Sequence, residues 1–166
     1  MEIVRGLDVQ FASLHERSLA LVQAVPADKL YWQPPRVGAL SLPAYSCGEY
    51  VLRAAATVEQ TCGGITVNLW DDPFEWTLPE TLPTSAHVVE YLNEAEATRL
   101  RAFKLFHTDA DLSKEIATPS GEMRTLFALL SETLVRAAHH QGSAFATFRL
   151  FSDARPLGLE SYLQHA

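Results

Sequence analysis

Long apolar runs are missing from this chain of 166 residues. No stretch approaches the roughly 18 uncharged apolar residues of a transmembrane helix, so no membrane span is expected. Cysteine is scarce. The two thiols, Cys47 and Cys62, form no Cys-x-x-Cys motif, which argues against a disulfide framework. A reduced, cytoplasmic protein is the expectation. The opening MEIVRGLDVQF places charges where a secretory signal needs an apolar stretch. Lysine is also rare: three Lys stand against ten scattered Arg, and the net charge is −7. With no basic patch or stripe, neither a nucleic-acid partner nor an anionic membrane surface is expected. Phosphate-cradling glycine loops, a Gly-x-Ser-x-Gly elbow, internal repeats and low-complexity runs are absent too.

What is present is an ordinary globular composition, with 48% hydrophobic and 20% charged residues. This length suits one domain over 1–166, able to hide roughly 70% of its unfolded surface. Apolar spacing marks four long helices. The first runs from about Gly6 to Val25, with Phe11, Leu14, Leu21 and Val22 inward, Glu16 and Arg17 outward, and Pro26 as its stop. The second opens on the capping box Ser46-Cys47-Gly48-Glu49 and should stop at Gly63-Gly64. Residues 65–83 read as loop, with weak strand character over Ile65 to Trp70.

The third helix is expected from Thr84 or Ser85 to about Phe106, with Glu94, Glu96, Arg99, Arg101 and Lys104 on its wet side. Pro119-Ser120-Gly121 reads as a tight turn. The fourth and longest helix should span Thr125 to Phe151. Gly142 within it costs about 1 kcal/mol against alanine, which suggests close helix packing or an approaching ligand. A short helix after Pro156 is allowed. The expected fold class is all-α, a four-helix bundle with long loops. Trp32, Trp70 and Trp76 fall in loops that can cover one end of it.

Several markers recur in a recognisable order. They are Asp28-Lys29-Leu30-Tyr31-Trp32-Gln33-Pro34-Pro35, then Ser46-Cys47-Gly48-Glu49-Tyr50-Val51-Leu52, then Thr118-Pro119-Ser120-Gly121-Glu122. His139-His140-Gln141-Gly142-Ser143 and Phe148-Arg149-Leu150 follow. Over about residues 8 to 158 the chain resembles the DinB/YfiT-like superfamily of small four-helix bundles. The resemblance implies a dimeric, metal-dependent and thiol-linked transferase or hydrolase. It also implies three metal-binding histidines, one on the second helix and two, four residues apart, on the fourth.

At those positions this chain carries Arg53, Arg136 and His140. Guanidinium has no lone pair to offer and stays charged, so the usual divalent metal site, zinc or nickel included, is expected to be lost. Glu49 and Glu132 stand four residues before Arg53 and Arg136, at a spacing that allows ion pairs along each helix. Three readings follow. In one, these pairs plug the old cavity and leave a non-catalytic structural homodimer. In another, Arg53, Arg136 and His140, oriented by Glu49 and Glu132, bind a small anionic or thiol-bearing ligand. In the third, a thiol-dependent S-transferase or a metal-dependent hydrolase uses an atypical metal set drawn from His15, His139 or His140, and Glu132. His87, His107 and His165 read as surface or capping histidines. Cys47 sits at a helix start, where the dipole favours a thiolate, but an inert buried thiol is the simpler expectation.

Overall fold

The structure is a computed structural model that describes residues 1–35, 44–72 and 76–154. It is mostly helical, as expected. Among the described residues four α-helices follow one another: α1 (Glu2–Ala24), α2 (Cys47–Val67), α3 (Ser85–Phe103) and α4 (Leu126–Arg149). Short 3-10 turns occupy Ala27–Lys29 and Asp109–Ser113. A small hairpin, β1 (Glu115–Ala117) and β2 (Met123–Thr125), precedes α4. The short helix expected after Pro156, and His165, lie outside the described residues.

Most helix starts follow their caps. Ser46 Oγ accepts from the backbone of Glu49 at 3.2 Å, and Glu49 Oε2 accepts from the backbone of Ser46 at 2.8 Å. Thr84 and Thr125 cap α3 and α4 in the same sense, accepting from the amides of His87 and Ala128. The start of α1 differs from the expectation. It begins at Glu2, not near Gly6, because Asp109 accepts from the amide of Val4 at 3.0 Å. That cap comes from more than a hundred residues away, so no local pattern announces it.

The end of α2 is also a correction. Gly63-Gly64 does not stop the helix, which continues to Val67 and ends on Asn68 in the left-handed region at φ 55°. Gly64 instead makes room for a neighbour. A Cβ there would stand 2.5 Å from the Trp70 indole. No strand forms over Ile65 to Trp70. Two strands do form around the Pro119-Ser120-Gly121 turn, where Gly121 adopts φ +81° and its amide donates to Thr118 O at 2.9 Å. Three residues each is too short for an alternating pattern to stand out. α3 ends at Phe103. A Cβ added at Gly142 would meet no atom within 4 Å among the described residues, so the close helix packing expected there does not occur.

α1 and α2 each pack against both α3 and α4, while α1 and α2, like α3 and α4, touch each other little. The order around the core is therefore α1, α3, α2, α4. One end of the core gathers Leu21, Val22, Leu30, Val51, Leu52, Val88 and Phe148. The other gathers Phe11, Leu14, Phe103, Leu126 and Leu130. Each fully buried side chain of this size stabilises the fold by about 1.5–3 kcal/mol relative to exposure. The tryptophans do not share one end. Trp32 packs edge-on against Phe151, whereas Trp70 lies at the C-terminal end of α2.

Two arginines expected in water are buried, Arg17 and Arg99. Arg99 bonds to Asp8 of α1 and to both oxygens of Glu96. A carboxylate pair from two helices removes most of the cost of taking its charge inside.

Candidate functional site

α2 and α4 run antiparallel and close together. Thr61 and Thr133 share a buried hydrogen bond of 2.7 Å between them, and further along the pair the Tyr50 ring lies 6.5 Å from that of His140. This geometry brings Arg53 of α2 into the same neighbourhood as Arg136 and His140 of α4. Their convergence shows in the electrostatics. Burial lowers the His140 pKa from its ordinary 6.5, and His139, Arg53 and Arg136 lower it further, in that order. Among the described residues no carboxylate opposes that shift. The Nδ1 atom of His140 is buried and has no hydrogen-bond partner among the described residues. An unmatched buried polar atom costs free energy and invites a ligand or a water.

Both glutamates of the expected Glu–Arg pairs take other partners. Glu49 spends its carboxylate on the helix start, accepting from Ser46 Oγ at 2.7 Å and from Gln33 Nε2 at 3.1 Å. Glu132 turns out towards Arg124 at 2.9 Å, with its side chain about half exposed. The physical reason is competition. An orphan amide at a helix start and a neighbouring strand cation are both better placed than an i+4 guanidinium. Arg53 lies over the Tyr45 ring, 4.0 Å from its centroid. Tyr45 in turn packs edge-on against Tyr50 at 5.5 Å. Arg136 is exposed, and among the described residues it makes no ion pair. The cluster is thus one half-buried imidazole, two guanidiniums and two aromatic walls.

The atypical metal set does not assemble. His15 lies on α1 beside Glu96 and Arg99, His139 is exposed, and Glu132 faces Arg124. Among the described residues no three His, Cys, Asp or Glu side chains are grouped so as to hold a metal. At the positions implied by the resemblance, one imidazole and two guanidiniums do not fit a dication.

His15 belongs to a separate small cavity of about 30 Å³, lined also by Ser18, Glu96 and Arg99. That is room for about one water and for no substrate. Gln141 closes the nearby α1–α4 seam, donating to Leu14 O at 2.7 Å and Ser18 Oγ at 2.8 Å. Cys47 and Cys62 are fully buried, and burial pushes each thiol up to about 12. Neither is a nucleophile in this state. His87 bonds to the cap Thr84, and the His107 amide donates to Asp111.

No protein-family model matches the chain, and neither a curated protein nor a solved structure shows significant similarity to it. Among the described residues no helix is long and apolar enough to cross a membrane.

The sequence points to Arg53, Arg136 and His140 but not to the aromatic walls beside them. Tyr50 and Arg53 are three apart and so share a helix face. That spacing was the available signal.

Proposed function

We infer that this chain is a DinB/YfiT-like bundle whose metal site has been replaced by a binding site for a small anion. Arg53, Arg136 and His140 form it, and Tyr45 and Tyr50 flank it. The order of elements supports the family reading: a capping box opens α2, a Pro-Ser-Gly turn precedes α4, and α4 carries the histidine. One observation carries the ligand reading. The Nδ1 atom of His140 is buried without a partner among the described residues, in the positive field of two guanidiniums and a second imidazole. An entering carboxylate or phosphate oxygen would accept from the imidazole once it is protonated, and from the guanidiniums. The anion would raise the imidazole pKa, so binding would take up a proton. Glu49 bonds at the start of α2 and Glu132 bonds to Arg124. A homodimer belongs to the same reading.

Calorimetric titration with phosphate, sulfate, glycolate and mercaptoacetate tests this reading. Binding should strengthen as pH falls from about 7 to 6 and weaken in Arg136→Gln and His140→Gln. A preference for mercaptoacetate over glycolate would mark a thiol-bearing ligand. If no anion binds the folded protein at either pH, the reading fails.

A further inference from the structure

A second groove, of about 230 Å³, lies between the C-terminal parts of α2 and α3. Gly63 in its wall is ten residues beyond Arg53, or about 15 Å along the helix, so this is not the anion site. The walls are built into the fold. Leu69 N donates to Gly63 O at 3.4 Å and Gln60 Nε2 to Trp70 O at 3.2 Å, which fold the segment after α2 back onto it. Trp76 is tied down on the other side, where Thr81 Oγ1 donates to the Trp76 carbonyl. Val67, Leu69 and Trp76 are 70%, 53% and 45% exposed, so three large apolar side chains line an open groove.

Charges of both signs face the same space. Arg101 and the carboxylates Glu59 and Asp71 all line it, yet among the described residues none of the three forms an ion pair. Buried neutral partners hold two of them in place. Thr98 accepts from Arg101 Nη2 at 2.8 Å, and Tyr91 donates its hydroxyl to Glu59. A simple anion would meet two carboxylates, and a simple cation would meet Arg101. A zwitterion answers both.

We propose that this groove binds a small zwitterion with an apolar side chain, of the apolar α-amino acid type. Its carboxylate meets Arg101, its ammonium meets Glu59 and Asp71, and its side chain lies against Trp76 and Leu69. A guanidinium can take a carboxylate with two parallel hydrogen bonds, which fixes the orientation. The volume lies below the roughly 300–1,000 Å³ of drug-sized sites, as a ligand this small requires.

The test is titration of the full chain with L-phenylalanine and L-leucine at millimolar concentration, read by tryptophan fluorescence and calorimetry. Saturable binding of at least one is expected. N-acetyl-phenylalanine lacks the ammonium, phenylalanine amide lacks the carboxylate and glycine lacks the side chain. Each should bind about tenfold or more weakly, the usual scale for a lost charged hydrogen bond or buried apolar group. Arg101→Gln should weaken phenylalanine to the level of its amide while leaving the amide unchanged. His140→Gln should change nothing here. The three analogues act on the unaltered protein, so the proposal stays testable even where a variant fails to fold. Absence of saturable binding by both amino acids overturns it, as does an amide or acetylated analogue that binds as well as phenylalanine.

Discussion

The guanidinium of Arg99 on α3 is hydrogen-bonded to the carboxylate of Asp8 on α1, across 91 residues of sequence. Arg99 is 3% exposed at its side chain, Asp8 46% and Glu96 17%. The pair therefore fastens two helices with one end dry and the other wet. Loss of one carboxylate leaves Arg99 a partner, and loss of both strands a buried cation. Asp8→Ala and Glu96→Gln should each cost about 1–2 kcal/mol, and the double variant more than their sum. Urea unfolding of the four proteins of this cycle checks the claim. Simple additivity would show that the two carboxylates do not share the charge.

Glycine substitutions should have opposite signs at two sites. Gly142 lies within α4, and an added Cβ would meet nothing within 4 Å among the described residues. Gly142→Ala should stabilise by about 0.5–1 kcal/mol through helix propensity and a less free unfolded chain. Gly64→Ala should destabilise, because the new methyl would stand 2.5 Å from the Trp70 ring. Thermal melts of the two variants give the comparison. A stabilising Gly64→Ala would mean that the Trp70 contact is not maintained.

Native Cys47 and Cys62 should resist alkylation at neutral pH. Both are fully buried, and burial raises both thiols to about 12, so the thiolate is rare. Iodoacetamide labelling followed by mass spectrometry should give unmodified protein without denaturant and two adducts in its presence. Rapid labelling of the folded chain at Cys47 would restore the possibility of a reactive helix-start thiol.

Stability should fall as the solution is acidified through the histidine range. Burial is the main cause of the lowered pKa at both His15 and His140. At His15, Glu96 and Glu16 oppose the shift and Arg99 adds to it; at His140, His139, Arg53 and Arg136 all add to it. The unfolded chain takes up these protons near 6.5 and the folded chain only at lower pH. The stabilisation is therefore complete above that value and is lost as pH falls from there through the lower folded-state value. The urea midpoint should drop between about pH 7 and pH 5, and His140→Gln and His15→Gln should each flatten the drop. Asp111, whose carboxyl is held low by Lys114 and by the amides of Thr108 and His107, acts only in more acidic solution. An unaltered slope in both histidine variants would contradict this account.

The sequence by itself determined the four long helices of the described residues, most of their boundaries and the positions of the three residues at the α2–α4 seam. These features are local. Ser46 and Glu49 reach each other three residues apart, Pro26 removes its own donor, and apolar spacing repeats within one helix. The direction in which each polar side chain turned was decided only by tertiary structure. Glu132 had Arg136 four residues away and took Arg124 instead, because the hairpin delivers that cation to it. Arg99 looked like a solvated residue until Asp8 of α1 came beside it. Gly64 looked like a stop until the chain folded Trp70 back over it. In each case a partner that only the folded chain brings near set the outcome, at Arg99 by joining the local Glu96. At Arg99 and Gly64 burial makes an unmatched charge or a blocked contact costly, whereas the half-exposed Glu132 answers to the hairpin cation set beside it.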